Sequence, residues 1–138
     1  MFKYSLIDQL FHYLKCFKIG GQYFAHTTKC YIITFETETW EGARAKCLEK
    51  FNGTLVTISD IETMNFIKTL KHRGNQIWIG ASRTPSSSVW TWDDGSTWSY
   101  TNWLSGEPGV MDMSASYNSG GMWAGSPKSS KFYYLCQF

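Results

Sequence analysis

Apolar and polar positions follow several distinct rhythms along this chain. Residues 31–35 (Tyr31, Ile32, Ile33, Thr34, Phe35) are β-branched or aromatic without a break and predict a strand. Thr39-Trp40-Glu41 then opens a helix in which Trp40, Ala43, Cys47, Leu48 and Phe51 recur at three- and four-residue steps. Asn52-Gly53 ends it, since both residues tolerate left-handed backbone. Residues 54–58 read as a short strand. Ser59 and Asp60 offer caps for a second helix, striped by Ile61, Met64, Ile67 and Leu70 with Phe66 near the edge, and Gly74-Asn75 stops it. Residues 77–80 form a compact apolar strand. Short strands at 89–92 and 131–136 follow, with Asp93-Asp94-Gly95 as a turn. The order predicts an α+β domain, two helices flanking antiparallel sheets.

The first fifteen residues carry a separate pattern. Ser5-Leu6-Ile7-Asp8 has the form of a capping box, and Ile7, Leu10, Phe11 and Leu14 follow at helical spacing. We expect a short amphipathic helix over 1–15, through which an oligomer would form, and a domain over 16–138. The competing reading is a secretory leader starting at Lys3, but Asp8, Gln9 and His12 interrupt its apolar region.

Composition narrows the function. With 138 residues, 43% hydrophobic and 17% charged, the chain suits one domain with a real core rather than a disordered segment. A net charge of +2 leaves no basic field for nucleic acid, and no run approaches a membrane span. Residues 84–127 contain no Lys or Arg, and their only acids are Asp93, Asp94, Glu107 and Asp112. The same stretch holds five of the seven Trp and six of the twelve Gly, so a specialised aromatic half follows a conventional one. His12, His26 and His72 lie outside it, and no nucleophile, dinucleotide or metalloprotease motif is present. We therefore expect no enzyme and no cofactor. Four Cys allow three pairings; without C-x-x-C or a Cys/His cluster at zinc spacing, a disulfide framework is favoured over a metal site.

From Cys30-Tyr31 to Tyr134-Leu135-Cys136 the chain resembles the C-type lectin-like domains, in the long form with an N-terminal hairpin. The pieces are the run from Thr39 to Cys47, Leu55-Val56-Thr57-Ile58, Trp78-Ile79-Gly80, Trp92-Asp93-Asp94-Gly95, Asn102-Trp103 and Gly106-Glu107-Pro108. The resemblance implies a double-looped α+β fold with a long irregular upper loop. It also implies bridges Cys47–Cys136 and Cys16–Cys30, and an extracellular or cell-surface location. A further family disulfide would fall at Val110 and Lys128; neither is Cys. We therefore expect a looser upper loop held by tryptophan packing.

The family's calcium motifs also depart from pattern. They read Glu107-Pro108-Gly109 and Trp123-Ala124-Gly125, which leaves Glu107 and Asp112 as the nearby carboxylates. The resemblance thus implies a recognition domain for a glycan or protein ligand without the usual calcium site. It places Trp78, Trp92, Trp103 and Trp123 in the core or anchoring the loop. Trp98, Tyr100, Tyr117 and Met122 are the expected surface contacts, beside Glu107 and Asp112. Asn52-Gly53-Thr54 is a candidate N-glycosylation sequon. Two rivals stand beside this reading: a secreted venom- or defence-type subunit acting through assembly, and a surface binder with a flat hydroxyl face at 86–88 or 114–119.

Overall fold

The computed structural model describes residues 5–138. Helix α1 (Leu6–Lys18) leads into the hairpin β1 (Gln22–Phe24) and β2 (Lys29–Ile33). Helix α2 (Trp40–Phe51), strand β3 (Thr54–Leu55) and helix α3 (Ile61–Thr69) follow. Strands β4 (Ile77–Ser82), β5 (Thr91–Trp92), β6 (Ser114–Tyr117), β7 (Trp123–Ser126) and β8 (Tyr133–Gln137) complete the chain. The helix ends form as their residues demand. Thr39 Oγ1 accepts from the Gly42 amide and Asp60 Oδ1 from the Thr63 amide, while Asn52 takes the left-handed cap at φ 52°.

The strands run in the order β1-β2-β8-β4-β6-β7, with β3 added to β8 and β5 to β4. Every pair is antiparallel except β4 with β8, where Trp78 faces Tyr134 in parallel register. That pair departs from the expected antiparallel sheets. It arises because the C-terminal strand returns from the loop to fill the gap between β2 and β4, and its direction there is set by β2.

Two apolar clusters lie around this sheet. In one, Trp40, Ala43, Leu55, Trp78 and Tyr134 surround the Cys47–Cys136 bridge. The indole N–H groups are satisfied inside it: Trp40 donates to Ile79 O at 2.9 Å and Trp78 to Glu38 O at 2.8 Å. The other gathers Val56, Ile58, Met64, Ile67 and Ile79 under the tryptophans of the second half. Both implied disulfides are present, Cys16–Cys30 and Cys47–Cys136. Loop-closure entropy assigns them about 3 and about 4–5 kcal/mol. Such bridges persist in oxidising compartments, in accord with an extracellular or cell-surface protein. Among the described residues no helix is long and apolar enough to cross a membrane.

Helix α1 forms with its capping box, but with an inverted arrangement. Cys16 is buried against the hairpin and His12 Nε2 lies 3.0 Å from Phe138 O, so the polar side of the helix meets the domain. Leu6, Ile7, Leu10, Phe11, Leu14 and Phe17 face solvent. The helix continues to Lys18, across the boundary drawn at residue 15, since the Cys16 bridge anchors its last turn.

Candidate functional site

The aromatic half folds into a layer of stacked indoles. Trp90, Trp92 and Trp123 are buried, and Trp98 and Trp103 are half-buried above them. Ring centroids lie 4.7 Å apart for Trp92 and Trp98, 5.0 Å for Trp90 and Trp103, and 5.7 Å for Trp103 and Trp123. Tyr100 meets Trp123 edge-on at 5.9 Å. Burial raises the Tyr100 hydroxyl pKa above its ordinary value. From residue 97 to 101 exposure alternates, so Thr97, Ser99 and Thr101 present hydroxyls to solvent while Trp98 and Tyr100 lean on the indoles. This hydroxyl row was not anticipated from the sequence; its legible trace is the strict alternation of small polar and aromatic residues.

Backbone pairing sews the segment down. Leu104 N donates to Trp123 O at 2.8 Å and Trp123 N to Asn102 O at 2.9 Å, while Asn102 Nδ2 donates to Gly121 O at 2.7 Å. The Trp123 indole N–H points at Met64 Sδ, 3.4 Å away. Of the tryptophans expected in the core or anchoring the loop, Trp78, Trp92 and Trp123 are buried, and Trp103 is half-buried where its backbone bridges to Trp123.

Asp93 and Asp94 turn out to be structural acids. Asp93 accepts from Arg44 Nε at 2.7 Å and from the Leu55 amide at 3.0 Å, which ties the turn to α2 and β3. Asp94 accepts from the Ser96 amide and from Gln137 Nε2.

The remaining two acids of the loop are also engaged internally. Asp112 Oδ2 accepts from the Gly109 amide at 2.8 Å, and Glu107 Oε2 accepts from the Gly125 amide at 3.2 Å. Asp112 occupies the space that a Cβ on residue 125 would need, so glycine at 125 is what admits it. Arg83 then closes the loop. Its Nε donates to Asp112 O and its Nη2 to Gly109 O, both at 2.7 Å, and Nη2 also reaches Val110 O at 3.3 Å. The guanidinium lies 4.8 Å from the Trp90 ring centroid. A protein cation therefore holds the carbonyls of this turn. With two carboxylates bound to amides, and with Ala124 and Gly125 lacking side-chain oxygens, the loop is poor in the side-chain oxygens that calcium favours. Arg83 was missed in the sequence; the hint was its place as the last basic residue before the cation-free stretch.

The six expected contact residues do not form one surface. Trp98 and Tyr100 are joined through Trp123, Glu107 and Asp112 meet around Gly125, and Met122 is half-buried in the turn between β6 and β7, where its amide donates to Asn118 Oδ1. Tyr117 is a correction: only 2% exposed, it points inward from β6, and burial pushes its hydroxyl far above the ordinary range. The flat hydroxyl face at 114–119 does not form either. Ser114 and Ser116 are buried, donating to Ser126 O at 2.7 Å and Gln76 Oε1 at 2.9 Å, because pairing of β6 between β4 and β7 turns them into the sheet. Val110 is a solvent-exposed tip, and Lys128 pairs with Glu41 at 3.1 Å. Asn52 is exposed at its cap.

Comparison with known proteins agrees with this geometry. The family model for the lectin C-type domain matches residues 36–138. C-type lectin lectoxin-Lio3 of Erythrolamprus poecilogyrus is 36% identical over 91 residues, covering 62% of this chain and 56% of its own length. The galactose-specific lectin nattectin of Thalassophryne nattereri is 31% identical over 87 residues, 60% of this chain and 54% of its own. The chain thus spans little more than half the length of these relatives. Among solved structures, human lithostathine superposes with a TM-score of 0.80 at 26% identity, covering 86% of this chain and 96% of that one. The mouse scavenger receptor C-type lectin carbohydrate-recognition domain gives 0.77 at 28%, covering 86% and 92%. A calcium-independent type II antifreeze protein shares the fold at 0.76 and 24%, covering 86% and 91%. With its double-looped sheet, its two bridges and a family match over most of its length, the chain belongs to the C-type lectin domain family.

Proposed function

We propose that this domain recognises a glycan without calcium, through the aromatic and hydroxyl face of residues 97–104, and performs no catalysis. The observation that carries this reading is the closure of the turn at 109–112 by Arg83, with Asp112 and Glu107 spent on backbone amides. A loop that is ordered by its own guanidinium needs no ion to hold its shape. Trp98 and Tyr100 offer half-exposed rings for the C–H faces of a sugar, and Thr97, Ser99 and Thr101 offer hydroxyls beside them. One relative is named a galactose-specific lectin, which makes galactosides the first ligands to try. Recognition rather than chemistry is supported by the histidines. His12, His26 and His72 lie outside this face, bonded to Phe138 O, Asp60 and the Gly74 and Tyr117 carbonyls. The test is a glycan array read with and without chelator, on the native chain and on Trp98→Ala. Hits that survive chelator and vanish in the variant support the reading. Hits lost in chelator overturn its calcium clause, and an empty array moves the ligand to the protein class.

A second reading, a venom- or defence-type subunit working through assembly, is favoured by α1. Eight of the fifteen large apolar side chains exposed among the described residues lie between Leu6 and Ile19. Patches of this kind on small soluble proteins mark contact surfaces. Sedimentation of the native chain against Leu10→Glu/Leu14→Glu checks it: a concentration-dependent oligomer that becomes monomeric is expected. A native monomer excludes self-association through this face.

A further inference from the structure

One cluster of metal-binding side chains lies away from the loop. His26 sits in the turn between β1 and β2, and Asp60 and Glu62 start α3; their ligand atoms all lie within 4.8 Å of one another. His26 Nε2 is 2.9 Å from Asp60 Oδ2. Asp60 divides its work, since Oδ1 caps the helix at the Thr63 amide and Oδ2 faces the imidazole. The two elements are locked together beside the cluster. Phe24 and Phe66 stack with parallel planes at 4.2 Å, Tyr31 meets Phe66 edge-on at 5.3 Å, and its hydroxyl lies 2.8 Å from Thr27 Oγ1. The three ligands are therefore held by a packed aromatic clamp rather than by mobile side chains alone. His26 and Asp60 also remain open to solvent, 45% and 38% exposed.

We infer that His26, Asp60 and Glu62 form a binding site for a first-row divalent metal ion, with zinc the best match, bridging the β1–β2 turn to α3. One imidazole nitrogen and two carboxylate oxygens are a borderline donor set that suits zinc, whereas calcium prefers oxygen throughout. Bonds of about 2 Å put tetrahedral ligands roughly 3.3 Å apart, so the observed cluster needs only a small contraction. The fourth position is left for water or an outside ligand. The two carboxylates offset the unfavourable positive end of α3, which would repel a lone cation. Asp60, through its hydrogen bond, and Glu62, through its charge, both raise the His26 pKa, and the metal would displace that proton. The site escapes a reading of the sequence because His26 and Asp60 are 34 positions apart, with no motif spacing. It is independent of the glycan reading.

The experiment is a calorimetric titration of zinc chloride into the metal-free chain, with thermal melts alongside. We expect one-to-one saturable binding that raises Tm. His26→Ala and Glu62→Gln should each weaken it at least ~10-fold, as should Asp60→Asn, whose amide oxygen still caps the helix. All three side chains are exposed or half-exposed, so the variants should fold, and an unchanged far-UV spectrum verifies that. No saturable zinc binding overturns the proposal. So does a binding signal that survives His26→Ala, or one lost only in His12→Ala or His72→Ala.

Discussion

The two halves of this domain are held together by different means. Around α2, β3 and β8 a covalent bridge runs through a buried cluster, and the helix there has a periodic sequence signature. In the loop between β5 and β6 no bridge exists. Order comes instead from five indoles in contact, from backbone bonds to β7 and from one guanidinium on three carbonyls. The bridge acts chiefly by limiting the unfolded chain. The loop's ties act only in the folded state and fail one at a time. A looser loop was expected where the family's further disulfide is missing; the tryptophan layer and Arg83 occupy that role.

The comparison can be broken from its stronger side first. Replacing Cys47 and Cys136 together by Ala should lower stability by about 4–5 kcal/mol, a large share of the roughly 5–15 kcal/mol of an ordinary domain. Chemical denaturation should register this as a single cooperative loss. Trp123→Ala should cost about 3–5 kcal/mol by cavity formation under the loop, and near-UV dichroism should fall as the other indoles lose their partner.

Arg83→Met sharpens the contrast most. It leaves three carbonyls and Trp90 without their cation, and should cost about 1–3 kcal/mol. Limited proteolysis should then cut near residues 109–112 well before the α2–β8 region opens. Equal cutting of native and variant chains would show that the indoles alone order the turn. Trp98→Ala, at a half-exposed position, should cost less stability than Trp123→Ala while removing glycan binding.

The smallest effect is electrostatic. Lys50, Lys46 and the Tyr134 hydroxyl hold Glu36 down to about 2. Because the folded pKa is below the unfolded one, this contribution is present above about pH 4.5 and is lost as pH falls toward 2. Melts from pH 5 to 2 should show a decline that is shallower in Glu36→Gln. Since Glu36 lies at the surface, the difference should be small beside that of any loop substitution.

Legibility differs between the halves for a physical reason. Helix α2 announces itself because one face repeats every three or four residues and its ends carry Thr39 and Asn52. Strands β6 and β7 do not. Ser114, Ser116 and Ser126 look like surface residues, yet their hydroxyls bond one another, Ser126 O and Gln76 inside the sheet. Tyr117 was misplaced for the same reason, since β6 is buried at every position by its pairing between β4 and β7, which no local pattern reveals. Helix α1 was legible as a helix but not as an inverted one, because amphipathicity does not say which face the domain covers.

By itself, the sequence determined the helices, the β4 strand, the two bridges implied by its family resemblance and the poverty of side-chain oxygen at 123–125. These follow from local periodicity or from residue identity. Only the tertiary structure decided that Arg83 reaches three carbonyls 26 to 29 positions away, that Tyr117 turns inward and that His26 meets Asp60. Each is a contact between segments distant in the chain, where the chemistry of a residue depends on what the fold sets beside it.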